Sequence, residues 1–167
     1  MVTTYTRSES THSIGTARRS GTHDTASGGK SVKIKLDAGS FMPVRAHETD
    51  AGADLRSPID AMVPARGSRV IDTGVHIQLP HGYVGMLKSK SGLNTRHGIT
   101  SEGVIDEGYT GPIKVKLYNH SDAPYHVLRG DKVTQLVIMP CAYVGFERVD
   151  ELEDSERGDD GFGSTGK

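Results

Sequence analysis

Between Gly103 and Asn119 the chain reads GVIDEGYTGPIKVKLYN. Ile113, Val115 and Leu117 alternate with other residues at a period of two, which suits a strand with one buried face and not a helix. Val104 and Ile105 form a short apolar arm on the other side of Asp106-Glu107-Gly108-Tyr109-Thr110-Gly111. The stretch predicts a β-hairpin with a tight tip. Gly108 and Gly111 permit backbone angles that other residues resist. Such a tip can lay its backbone against a flat ligand while Asp106 and Tyr109 reach into one pocket.

The flanking segments repeat the pattern. SVKIKL from Ser31, SRVIDTGVHIQLP, YVGMLKSK, KVTQLVIMP and AYVGFERV all read as strands, with a turn at Pro80 and Gly82. AGADL reads as a glycine-bounded turn carrying Asp54, and HSDAPYHVLRGD as a loop. SGLNTRHG has room for only a turn or two of helix, and no segment shows a long helical period. Short strands at close spacing predict an all-β fold, a mostly antiparallel barrel or jelly roll. The first thirty residues, rich in Ser, Thr and Gly, hold almost nothing apolar. We expect a disordered arm over 1–30, a β domain over 31–150 and a flexible C-terminal arm over 151–167.

Composition excludes several classes. A formal net charge of −1 argues against nucleic-acid binding, which would show a basic excess. No apolar run approaches the ~20 residues of a membrane helix. The single cysteine, Cys141, forms no intrachain disulfide, follows an apolar run and is expected as a buried small hydrophobe. A cytoplasmic setting is expected, or a host-cell cytoplasm for a phage-encoded chain. Arg7, Arg18 and Arg19 hint at a transit peptide, but Glu9, Asp24 and the lack of an amphipathic period oppose it. The eight histidines show no H-x-x-x-H pair and no Cys/His cluster, so zinc is not expected.

Three segments carry groups suited to phosphate. In RGDDGFGSTG, successive glycines allow backbone N–H groups to converge, Ser164 and Thr165 add hydroxyls, and Arg157 can clamp an anion bidentately. Phe162 can stack on a base. The closing GFGSTGK fits a truncated Walker A pattern, but the hydroxyl residue and helix of a P-loop do not follow it. KSKSGL offers two ammonium groups, two hydroxyls and a glycine after a strand. In GDKVTQL, Gln135 is polar within an apolar run and needs either a structural partner or a ligand. Asp54 and Asp106 are isolated acids. Near a polyphosphate, one can hold hydrated magnesium and the other can deprotonate a water.

AGADL (51–55), KSKSGL (88–93), GVIDEGYTG (103–111), GDKVTQL (130–136) and RGDDGFGSTG (157–166), in that order, resemble the motifs of the trimeric dUTP pyrophosphatase (dUTPase) family. The resemblance implies a jelly roll, a homotrimer with active sites shared among subunits, and magnesium-assisted hydrolysis of dUTP to dUMP and pyrophosphate, supplying dUMP for thymidylate synthesis. It implies that Asp54 holds Mg2+ through water and that Asp106 activates the attacking water. Tyr109 is implied to pack on the deoxyribose. Lys90, Ser91, Gly92 and Gln135 are implied to contact phosphate, with Thr100, Val104 and Lys114 also in the substrate-binding set. Arg157, Gly163, Ser164, Thr165 and Gly166 are implied to grip the γ-phosphate, with Phe162 covering the uracil. Two positions depart from the commonest pattern. Lys90 stands where arginine is usual and lacks its fork geometry. Thr100 stands where an asparagine often reads the uracil edge, which shifts base reading toward the hairpin backbone. A nucleotide-gated regulatory protein of the same fold is the alternative. A dCTP deaminase is disfavoured, because Lys116 occupies the position of its catalytic glutamate.

Overall fold

The computed structural model describes residues 31–155 and Gly158 of the 167-residue chain. Ten strands follow in order: β1 (Lys33–Leu36), β2 (Gly52–Arg56), β3 (Ala61–Val63), β4 (Ser68–Asp72), β5 (Val75–Gln78), β6 (Tyr83–Lys88), β7 (Ile99–Ile105), β8 (Lys114–Asn119), β9 (Tyr125–Val127) and β10 (Lys132–Pro140). One short helix, α1 (Ser91–His97), joins β6 to β7. Every strand pairing is antiparallel. Six strands form one sheet in the order β2-β10-β6-β7-β8-β4, and β1-β5 and β3-β9 form two-stranded ribbons. This is the all-β, jelly-roll architecture expected from the period-two runs. Among the described residues no helix is long and apolar enough to cross a membrane.

The core follows from the alternation. In β8, Val115, Leu117 and Asn119 are buried while Lys114, Lys116 and Tyr118 face outward. Val115 and Leu117 join Leu55, Ile71, Leu87, Ile99, Ile113 and Val133 in one apolar cluster. Asn119 enters that interior because its polar atoms are all used. Its amide donates to Val63 O (3.2 Å) and Ala123 O (2.8 Å), and its oxygen accepts from Ser121 N (2.9 Å).

Four expectations are corrected. Asp54 lies in β2, not in a turn: the strand pairs with β10, and Val44 bridges Asp54 from the other side. β3 and β9 fall in segments without a strand pattern, and three residues each are too few to display a period. AYVGFERV forms no strand among the described residues. Tyr143, Val144, Phe146 and Val149 are exposed, with Phe146 at 99%. Cys141 is likewise exposed rather than buried.

Leu117 is fully buried in this cluster. We expect Leu117→Ala to lower unfolding free energy by about 2–5 kcal/mol, the cost of deleting a packed leucine side chain. Denaturant titration measures it, and a loss below ~1 kcal/mol would mean that β8 does not anchor the core.

Candidate active site

The register of the large sheet lines up four side chains on neighbouring strands. Asp54 of β2 is opposite Gln135 of β10, Gln135 is opposite Lys88 of β6, and Lys88 is opposite Glu102 of β7. The Asp54 side chain is 8% exposed and sits between two ammonium groups. Lys90 Nζ donates to Oδ1, and Lys132 Nζ lies 2.7 Å from Oδ2. Burial alone would push the Asp54 carboxyl up; hydrogen bonds and charge from Lys132 and Lys90 outweigh it and hold the carboxyl below the usual range. Lys88 pairs with Glu102 at 2.7 Å.

Supporting contacts fix this cluster. Gln135 Nε2 donates to Ser89 O (3.1 Å), so the amide has the structural partner its burial requires. A Cβ at Gly52 would come within 2.6 Å of Gln135 Oε1, so glycine leaves the space in which that amide lies. Ser89 Oγ donates to Ser101 O and accepts from Ser101 N, both at 2.9 Å. Ser101 Oγ and Thr134 Oγ1 are 2.8 Å apart, and Thr134 Oγ1 donates to Lys88 O (3.0 Å). These hydroxyls pin the segment that delivers Lys90. The surface hollow beside the cluster is lined by Gly52, Asp54, Lys88, Lys90, Lys132 and Gln135. Three lysines around one hollow suit the oxygens of a polyphosphate. Lys132 was not singled out from the sequence. Its signal was a cation three residues before Gln135 in GDKVTQL. Asp131, in the same motif, is a structural residue: its carboxylate accepts from Leu128 N (2.8 Å).

The donor set fits magnesium only as an ion held mainly by water and phosphate. Among the described residues no group of three His, Cys, Asp or Glu side chains could hold a metal. Both Asp54 oxygens already have an ammonium partner, so Asp54 would face such an ion through water, with substrate phosphates as inner ligands.

The hairpin is open rather than tight. β7 pairs with β8 only over Ile99–Ser101, whereas Glu102–Ile105 pair with β6. On its other edge, β8 pairs with β4 over Lys114–Tyr118. Ile113 is drawn toward the link between β4 and β5: its N–H donates to Val75 O (2.8 Å), and its carbonyl accepts from Thr73 N (3.1 Å) and Thr73 Oγ1 (2.8 Å). The facing edges of Gly103–Ile105 and Lys114–Lys116 therefore have no ladder between them among the described residues. That gap offers unpaired backbone donors and acceptors to a flat polar ligand.

Two adjacent carboxylates at the tip have opposite situations. Glu107 accepts from Gly82 N (2.9 Å), from the hydroxyl of Tyr143, and contacts His81 Nδ1 (3.0 Å). Those contacts, the Tyr143 hydrogen bond foremost, lower its carboxyl to about 2. Asp106 is exposed, and its carboxylate has no partner among the described residues. Glu107 anchors the tip to the turn between β5 and β6, whereas the Asp106 side chain faces solvent.

Asp106 lines a hollow with Gln78, Leu79, His81, Gly108 and Tyr143. Tyr109 does not share it. Its hydroxyl donates to Pro112 O (3.0 Å), and the ring lies where a Cβ at Gly111 would come within 2.6 Å. Gly111 thus provides space, whereas Gly108, at φ +86°, provides the backbone conformation.

Of the other predicted residues, Ser91 and Gly92 open α1 and are exposed beside Lys90. Thr100 lies at the end of β7 remote from Asp106, 2.9 Å from His120 Nε2, in a hollow with Lys88 and Ser89. Val104 is exposed on β7, and Lys114 is exposed at the start of β8. Arg157, Phe162, Gly163, Ser164, Thr165 and Gly166 lie outside the described residues. The chain does not bring its two clusters together. Asp106 stands four residues beyond Glu102, the β7 member of the Asp54 row, roughly 13 Å along the strand.

A family model described as dUTPase matches residues 40–166, a span that takes in both clusters. The chain belongs to the dUTPase family. It is 44% identical over 138 residues to a deoxyuridine 5'-triphosphate nucleotidohydrolase of Corynebacterium glutamicum, covering 80% of this chain and 93% of that one. It is 41% identical over 150 residues to the enzyme of the same name from Arabidopsis thaliana, covering 89% and 90%. Among solved structures, the dUTPase of Staphylococcus bacteriophage 80alpha with dUPNHPP aligns at a TM-score of 0.78 and 31% identity, covering 83% of this chain and 100% of that one. A mutant dUTPase of phage phi11 of S. aureus, whose structure is described as revealing the coordination of a structural Mg(II) ion, aligns at 0.69 and 28% identity, covering 75% and 100%.

The Glu107 anchor has an acid limit. A carboxyl lowered from 4.5 to about 2 contributes stability that is fully present above pH 4.5 and is lost as pH falls toward 2. We expect the thermal midpoint of the wild type to fall more steeply across that window than that of Glu107→Gln. Parallel curves would mean that Glu107 holds nothing.

Proposed function

We propose that this chain hydrolyses dUTP to dUMP and pyrophosphate at sites formed between copies in a homotrimer. The observation that carries this reading is the division of chemistry over one family-matched domain: a lysine-lined hollow at the Asp54 row, and a free carboxylate at the tip of an open hairpin. In this reading Lys90, Lys132, Lys88 and Gln135 hold the polyphosphate, with Ser91 and Gly92 alongside. The splayed hairpin takes the uracil, with Val104, Thr100 and Lys114 at its borders and Tyr109 against the sugar. Unpaired backbone there can favour the O4 acceptor of uracil over the amino group of cytosine. A site built on such hydrogen bonds can discriminate by about 10⁴.

Asp106 accepts a proton from water as the water oxygen bonds to the α-phosphorus. The bond from that phosphorus to its bridging oxygen breaks, and pyrophosphate leaves with the electron pair. The proton then passes from Asp106 to solvent. Magnesium, bound with the substrate and facing Asp54 through water, would offset phosphate charge. In this reading Arg157, Ser164, Thr165 and Gly166 serve the γ-phosphate and Phe162 the base.

The trimer has physical support of its own. The separation of roughly 13 Å along β7 leaves Asp106 remote from the lysines of its own chain. Tyr143, Val144, Phe146, Val149 and Leu152 are exposed apolar groups on a segment without a partner strand among the described residues, a surface suited to another copy. The cytoplasm is the compartment this reading expects.

We expect Asp106→Asn to keep the fold and KM while lowering kcat by about 10²–10⁴, the range for a general base. Pyrophosphate release from dUTP, UTP, dCTP and dTTP, with magnesium and then EDTA, measures activity and selectivity together. Magnesium-dependent release from dUTP alone is expected. Equal release from the other nucleotides, or an Asn variant at near-normal rate, would overturn the reading.

A further inference from the structure

We propose that His76 is a positioning residue for the reaction: its ring holds the hairpin tip that carries Asp106 and Tyr109, and it holds fully only while both ring nitrogens carry protons. The proposal rests on the reading of that tip as part of the dUTP site.

His76 lies on β5, opposite Lys35 of β1. Its Nδ1 is 2.8 Å from Thr110 O, and its Nε2 is 3.1 Å from Asp37 Oδ2. Both partners are acceptors. A neutral imidazole has one N–H and satisfies only one of them; the imidazolium satisfies both. The ring is 15% exposed and the Asp37 side chain 49%. Asp37 is itself fixed, its N–H donating to Gly74 O (2.9 Å) and its carbonyl accepting from Ser40 N (3.1 Å). The ring thus ties the tip to the fixed segment after β1. Thr110 lies between Tyr109 and Gly111, so a hold on its carbonyl is a hold on the backbone that presents Tyr109 and, across Gly108, Asp106.

The charged groups around the ring are few. Asp37 contacts it, and Lys35 lies 3.8 Å from the other Asp37 oxygen. Lys33, also from β1, lines the same hollow, with Gln78 of β5 and Thr110 of the tip contributing no charge. The Thr110 carbonyl, followed by Asp37, raises the imidazole above its ordinary 6.5. The sign follows: the hold is fully present below pH 6.5 and is lost as pH rises through the His76 pKa. Glu107 anchors the opposite side of the tip and loses its charge only in acid. The tip therefore has one fastening that weakens at low pH and one that weakens at neutral to alkaline pH.

The test compares wild type with His76→Gln, whose amide keeps one contact and does not titrate. The first readout needs no substrate: ring nitrogen shifts of His76 by NMR, with hydrogen-exchange protection of the Tyr109 amide, corrected for the intrinsic rate, across pH 5.5–9. His76 should titrate above 6.5, and protection should fall by about three- to ten-fold through that titration, the scale of one hydrogen bond. In the Gln variant protection should show no such step. The second readout is kcat/KM for dUTP. Wild type should fall by a similar factor through the same pH, beyond any change in the variant, which should sit near the wild-type high-pH level throughout. Titration at or below 6.5, or protection that ignores it, overturns the clamp. A clamp that titrates as described while kcat/KM follows the same profile in both proteins overturns its role in the reaction. A titrating clamp in a protein that does not hydrolyse dUTP at any pH supports the clamp and overturns the substrate reading.

Discussion

The carboxylate of Asp54, buried between the ammonium groups of Lys90 and Lys132, is the interaction on which the cationic half of the site depends. It joins β2, the segment after β6 and the start of β10 at one point. Without the Asp54 carboxylate the two ammonium groups would face each other with no counter-charge between them, so the three groups hold together as a unit. The energy comes from the sheet around them. The pairing of β10 with both β2 and β6 sets Asp54, Gln135 and Lys88 side by side, and Gly52 makes room for the Gln135 amide between them.

The hairpin works on a different principle. Its tip is exposed and has little apolar packing of its own, so polar fastenings determine where it stands. Glu107 takes hydrogen bonds from Gly82 and Tyr143, and His76 reaches Thr110 from the other side. With its neighbours committed, Asp106 remains the uncommitted acid. Two carboxylates adjacent in sequence thus differ, one hydrogen-bonded and one exposed, because of what each can reach and not because of residue type.

The strand pattern was legible where a face was both long and half-buried: β1, β4, β5, β6, β8 and β10 all announced themselves by alternation or by apolar runs. β2 was not, because Asp54 is buried by pairing with lysines that no local pattern reveals. The open hairpin was not legible either, since it follows from Ile113 bonding to Thr73 and Val75, residues distant in sequence. Asp54, Lys90 and Gln135 were identified from their motifs and meet in space. Lys132 needed the β10 register to be seen beside Asp54. The run Ala142–Val149 has a strand-like pattern but no partner strand among the described residues, and a local pattern carries no information about whether a partner is present.

In the proposed function no single chain completes the site, because Asp106 stands roughly 13 Å along β7 from Glu102, the β7 member of the Asp54 row. Complementation tests this most directly. Asp106→Asn and a variant combining Asp54→Asn with Lys90→Gln, each inactive alone, are unfolded together, refolded as a mixture, and assayed for pyrophosphate release from dUTP. Shared sites predict recovery of about a quarter of wild-type activity on random mixing, since each side of a site then has an even chance of coming from a chain sound at that position. A mixture as inactive as its components, in trimers shown to contain both chains, would mean that each chain builds its own site and would contradict the account.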